Sequence, residues 1–191
     1  FGPSHYNDLF RCSEPFFSAR GKGDVSEFVK KYLDNYNKTK GKGLICIPSG
    51  NHDMDRLSRT LQDDELKIAF AFLLSMPGAP FIYYGDEIGM RYIEGLDSVE
   101  GGYNRTGSRS PMQWDSTKNS GFSSAEENQL YIKMDTAKDR PTAEEQIANA
   151  DSLYNEVKKL IGIRRNTQAL QNNSKIEFIF AAKTKYPLVY I

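Results

Sequence analysis

The chain has 191 residues, enough for one domain with a real core or for a domain and a piece of another. Its 39% hydrophobic, 26% charged and 12% aromatic residues are a globular composition, with Lys+Arg and Asp+Glu both totalling 25. Zero net charge gives no basic excess for nucleic acid, and a mean hydropathy of -0.59 with no apolar run of about 18 residues argues against a membrane span.

Phe1-Gly2-Pro3 opens the chain with neither an initiator methionine nor a signal-peptide pattern, and Tyr186 to Ile191 ends it on a strand-like run. The ends lead us to expect a piece of something longer. His5 lies in an unpatterned stretch and suggests no role. Apolar residues at Val25, Phe28, Val29, Tyr32 and Leu33 have helical spacing, and Asp24 with Glu27 has the form of a capping box. Polar residues from Asn37 to Lys42 end that helix.

Leu44-Ile45-Cys46-Ile47-Pro48 reads as a short strand buried on both faces, so Cys46 is expected inside. With only Cys12 besides, there is no disulfide framework and no CxxC metal site. The polar group Ser49-Gly50-Asn51-His52-Asp53 follows. Asp63-Asp64-Glu65 opens an apolar helix to about Ser75, where carboxylates complement the helix N-terminus, and Pro77-Gly78 breaks it. Phe81-Ile82-Tyr83-Tyr84 reads as a second strand, also buried on both faces, leading into Gly85-Asp86-Glu87. Repeated βα units imply a parallel sheet with helices outside it.

From Met90 to about Ser124 the chain is rich in Gly, Ser, Asn, Asp and Arg without periodicity, and loops this long are usually functional or disordered. Residues from about Pro141 to Arg165 read as helix, with Leu153, Val157, Leu160 and Ile161 on one face. Lys175 to Phe180 and Leu188 to Ile191 read as strands of a new β unit.

Catalytic groups of (β/α) barrels sit at the C-terminal ends of strands, the position of both Asn51-His52-Asp53 and Gly85-Asp86-Glu87. A fixed carboxylate there can stabilise the oxocarbenium-like transition state of glycoside cleavage, and a neighbouring His can bond a sugar hydroxyl. The plainer alternative is an Asp that caps the next turn.

These residues carry a resemblance. Gly50-Asn51-His52-Asp53 after an apolar strand resembles the seventh-strand motif of the α-amylase family, glycoside hydrolase family 13. Phe81-Ile82-Tyr83-Tyr84-Gly85-Asp86-Glu87-Ile88-Gly89-Met90 is similar to its eighth-strand motif. Arg109-Ser110-Pro111-Met112-Gln113-Trp114-Asp115 with Asn119-Ser120-Gly121-Phe122 resembles the long loop after strand eight in the oligo-1,6-glucosidase and trehalose synthase branch.

The resemblance implies an α/β fold: the C-terminal portion of a TIM (β/α)8 barrel, with strands 7 and 8 and their helices, over residues 1–170. The beginning of a β-sandwich domain would occupy residues 171–191. It implies catalytic Asp53 as transition-state stabiliser, and His52, Arg56 and Arg109 as substrate-binding residues, although relatives usually have Pro where Asp55 stands. Gly85, Asp86 and Glu87 are expected to be structural, with Glu87 no catalytic acid. Tyr83 and Tyr84 are expected as wall and core, and Trp114 as either a sugar-stacking platform or a loop anchor.

No grouping has metal-ligand spacing, so neither metal nor cofactor is expected. Retaining hydrolysis needs a nucleophilic carboxylate and an acid/base carboxylate, and neither family motif for them occurs between Phe1 and Gly50. The expectation is a piece of a retaining α-glycosidase acting on α-linked glucosyl oligosaccharides, inactive by itself. It would self-associate or associate with the rest of its parent. Alternatives are a non-catalytic amylase-like binding domain and a glucosyl-transferring or isomerising enzyme.

Overall fold

A computed structural model describes residues 16–21, 24–97, 106–181 and 186–191. His5 and Cys12, and the part of the long loop at 98–105, lie outside the described residues. Those of 49–59 and 82–158 form one compact unit, the loop unit. Those of 13–48, 60–81 and 159–191 form another, the helical unit.

The helical unit contains α1 (Ser26–Thr39), β1 (Cys46–Pro48), α2 (Asp64–Ser75) and β2 (Ala79–Phe81). β1 and β2 pair in parallel, with Cys46 opposite Ala79, Ile47 opposite Pro80 and Pro48 opposite Phe81. A parallel pair needs a crossover connection, and α2 supplies it. α2 buries Leu66, Ala69, Phe70, Leu73 and Leu74. Gly78 is obligatory at its turn, since it has φ 123° and a Cβ there would stand 2.6 Å from the Ile45 carbonyl oxygen.

Phe28, Tyr32, Phe72, Phe178 and Tyr190 build an aromatic cluster, with ring centroids 5.3 Å apart for Phe28–Phe72 and 5.8 Å for Phe178–Tyr190. The Tyr32 hydroxyl donates to the Pro77 carbonyl at 2.9 Å, and burial pushes this phenol well above the ordinary tyrosine range. Strands β3 (Phe178–Phe180) and β4 (Val189–Tyr190) pair antiparallel.

Arg164, on the last turns of α4 (Leu153–Asn166), donates to the Leu74, Met76 and Gly78 carbonyls and to Asn172 Oδ1, all at 2.8–2.9 Å. Those carbonyls lie at and just beyond the end of α2, where acceptors lack intrahelical donors.

Several expectations are corrected here. The second strand is Ala79–Phe81, not Phe81–Tyr84: Ala79 N–H reaches the Ile45 carbonyl at 2.7 Å and fixes an earlier register. Neither strand is buried on both faces, for Ile47 alone among their residues is buried. Cys46 is exposed, because its side of β1 lacks cover among the described residues. The capping box of Asp24 and Glu27 does not form. α1 starts after Val25, Asp24 Oδ1 accepts from Ser26 N–H at 3.0 Å, and Glu27 pairs with Lys31 instead. The helix expected over about Pro141 to Arg165 is broken between α3 (Ala143–Ala148) and α4, where Asn155 Nδ2 bonds the freed carbonyls of Gln146, Ile147 and Asn149.

The loop unit is built from short turns together with α3 and the start of α4. Ile88, Met90, Met112, Ala143 and Tyr154 form its small core. Its long loop is anchored rather than loose: Ser108, Ser110 and Gln113 are fully buried, and Gln113 and Trp114 carbonyls accept from Ala143 and Glu144 N–H at 2.9 Å. No helix among the described residues is long and apolar enough to cross a membrane.

Candidate active site

The chain leaves β1 at Pro48 and enters the segment Ser49–Asp53 directly. Asn51 Oδ1 accepts from Asp53 N–H at 2.8 Å, and Met54 N–H bonds the Asn51 carbonyl at 3.3 Å, so Asn51 folds this segment into a turn. The turn presents His52 and Asp53 side by side, with His52 Nε2 3.4 Å from Asp53 Oδ2. Both remain accessible, Asp53 with 41% of its side chain exposed.

Arg109 joins them from the long loop. Its Nη2 donates to Asp53 Oδ1 at 3.0 Å and its Nε to the His52 carbonyl at 2.9 Å, while Ser108 Oγ donates to the same carbonyl at 3.3 Å. His52, Asp53 and Arg109, picked out from separate stretches of sequence, thus come together. The cation orients one carboxylate oxygen and leaves Asp53 accessible.

Arg56, expected to bind substrate, does not share this exposed setting. Its side chain is wholly buried, with Nη1 on Asp86 Oδ1 at 2.9 Å and on the Tyr84 carbonyl at 2.8 Å. The guanidinium carbon lies 5.0 Å and 4.9 Å from the Tyr83 and Tyr84 ring centroids, a geometry of cation–π attraction. Ser49 Oγ donates to Asp86 Oδ2 at 2.7 Å and accepts from Tyr83 N–H at 2.9 Å. Burial pushes the Asp86 carboxyl up from the ordinary aspartate range, against the pull of Ser49 and Arg56.

Asp86 therefore has the structural place expected of it. Glu87 is half-buried, its carboxyl raised by desolvation, and its Oε2 has no hydrogen-bond partner among the described residues. Trp114 is 52% exposed and, with Arg109, Glu87, Phe122 and Tyr131, lines an open cleft of about 410 Å³. It is the backbone of Trp114 that anchors the loop, through Ser120 and Glu144, while its half-exposed side chain lines the cleft. No group of His, Cys, Asp and Glu among the described residues could hold a metal ion.

Sequence reasoning missed the Ser49–Asp86–Arg56 link. The one signal for it is positional: Ser49 and Asp86 both lie just past the ends of paired strands.

Comparison with known proteins identifies the family. The family described as "Alpha amylase, catalytic domain" matches residues 17–173. A salivary α-glucosidase of Aedes aegypti is 32% identical over 122 residues, 57% of this chain and 21% of that protein. The trehalose synthase/amylase TreS of Mycolicibacterium smegmatis is 34% identical over 120 residues, 60% of this chain and 19% of that protein. The chain thus spans about a fifth of the length of these relatives. Among solved structures, an isomaltulose synthase mutant of Erwinia rhapontici NX5 in complex with D-glucose superposes with a TM-score of 0.69 at 26% identity, over 84% of this chain and 34% of that one. These structural relatives are TIM-barrel enzymes. The chain belongs to the α-amylase family, matching its catalytic domain.

Proposed function

We propose that residues 1–191 are part of a retaining α-glycosidase that acts on α-linked glucosyl oligosaccharides. Within its barrel the parallel pair would be strands seven and eight, residues 1–170 the end of the barrel and 171–191 the start of a β domain. The observation that carries this reading is the half-exposed Asp53 carboxylate, held by Arg109 beside His52.

In this reading Asp53 stabilises the positive charge that develops at the anomeric carbon and ring oxygen. It makes no covalent bond, and its value lies in being fixed and negative before the substrate arrives. His52, through its exposed ring, and Arg109, which also lines the open cleft, contact sugar hydroxyls. Arg56 is left out of the contacting set because its side chain is buried. The nucleophile and the acid/base would come from other parts of the protein, since retaining chemistry places two carboxyl groups about 5–5.5 Å apart across the scissile bond. The chain alone would therefore be inactive, and its half-covered strands would bind the remainder of the barrel or another copy.

The names of two relatives, a trehalose synthase/amylase and an isomaltulose synthase, favour glucosyl transfer or isomerisation as a second reading. The experiment compares the 191-residue chain with a longer gene product carrying it, on a chromogenic α-glucoside, maltose and maltooligosaccharides. Turnover is expected from the longer protein alone, and its products from maltose, glucose or an isomeric disaccharide, separate hydrolysis from isomerisation. Turnover by the chain itself that survives repurification and disappears in Asp53→Ala overturns the proposal.

A further inference from the structure

Asp53 lies on a segment closed at both ends by one carboxylate. Ser49 donates to Asp86 Oδ2 and Arg56 to Asp86 Oδ1, at 2.7 Å and 2.9 Å, so the six residues Gly50–Asp55 form a loop cinched at Asp86. A second tie doubles each end: Ser49 Oγ accepts from Tyr83 N–H, and Arg56 Nη1 donates to the Tyr84 carbonyl. Gly50 suits the closeness of the knot, since a Cβ there would stand 3.0 Å from Asp86 Oδ2 and the carboxylate would have to shift.

The ion pair by itself is a poor source of stability. Arg56 is 2% exposed, yet its Nε and Nη2 find no hydrogen-bond partner among the described residues. A buried ion pair costs desolvation that its attraction barely offsets, and unmet donors add to the cost. Apolar replacement of such a pair is often neutral or stabilising. What the pair does supply is a fixed path for the backbone between Ser49 and Arg56, and on that path stands the carboxylate that must meet developing charge.

We infer that Arg56 and Asp86, with Ser49, are positioning residues for Asp53. They touch no substrate; they hold the loop so that the Asp53 carboxylate meets Arg109 and the sugar in one place. The inference rests on the reading of Asp53 given above. A misplacement on the order of 1 Å can cost about 10²-fold in rate.

The test has two arms. On the 191-residue chain, hydrogen exchange of the peptide covering 49–56 is compared between wild type, Ser49→Ala, Asp86→Asn and the double variant Arg56→Met, Asp86→Leu. Exchange in that segment should rise by about tenfold or more in the double variant while α2 exchanges as before.

On the longer enzyme, the double variant should lose about 10²-fold in kcat with KM changed by less than about threefold. Inhibition by a cationic iminosugar should weaken in parallel with kcat/KM, while inhibition by glucose is unchanged. A merely structural pair would shift thermal stability and leave the iminosugar-to-glucose ratio where it was. Unchanged exchange in 49–56, or loosened exchange with kcat and iminosugar inhibition intact, overturns the inference. Inactivity of the longer wild-type enzyme overturns the proposed function instead, and the exchange arm still decides whether the loop is cinched.

Discussion

Two arginines are almost fully buried among the described residues, one in each unit, and they are treated in opposite ways. Arg164 in the helical unit spends Nη1 and Nη2 on four acceptors that close the end of α2. Arg56 in the loop unit bonds through Nη1, and among the described residues its Nε and Nη2 meet no hydrogen-bond partner. The first is a satisfied structural cap. The second ties down the loop on which the proposed site stands.

The comparison can be broken by mutation, beginning with the helical unit. Phe70 on α2 is fully buried, so Phe70→Ala should destabilise by about 3–5 kcal/mol in denaturant titration. Arg164→Met should cost about 3 kcal/mol, because several buried carbonyls lose a charged donor together. If Arg164→Met were as mild as the double replacement of Arg56 and Asp86, for which we expect about 1 kcal/mol or less, the contrast between the two arginines would be wrong.

Alkaline pH should act on the helical unit in a defined window. Burial raises the phenols of Tyr32 and Tyr190 in the folded chain. A raised folded value means that the unfolded chain loses these protons first as pH rises. Their contribution is fully present below the unfolded tyrosine value of about 10 and is lost above it. Thermal melts between pH 8 and pH 11 should show the decline starting near the top of that range, and a Tyr32→Phe variant should decline less.

The smallest stability effect belongs to the site itself. Arg109→Ala breaks a partly exposed ion pair with Asp53, so the melting midpoint should move by less than about 1 kcal/mol equivalent. A larger loss would make Arg109 a structural residue of the long loop.

The sequence carried the site motif better than the elements around it. Asp53 and His52 stand out at a strand end, where chemistry gathers, Arg109 only through the resemblance of its loop, and α2 because its apolar run and acidic start are local signals. The strand at Ala79–Phe81 does not, since Ala and Pro are poor strand formers and its pairing with β1, begun by the bond from Ala79 to Ile45, selects it. The exposure of Cys46 depends on what covers β1, which a run of apolar residues does not encode. The break between α3 and α4 is stabilised by Asn155 reaching back to three carbonyls, a side-chain choice invisible to periodicity. The burial of Arg56 is the clearest case: its partner Asp86 is 30 residues away, and nothing near Arg56 announces it.

The most direct test of the account is Asp53→Asn in the longer enzyme, which removes the fixed charge while keeping size and the turn made by Asn51. The account predicts a fall of about 10²–10³ in kcat, with KM for the α-glucoside and the thermal melt nearly unchanged. A variant with near-normal kcat/KM would contradict it, and Asp53 would then be a turn residue beside a site that works without it.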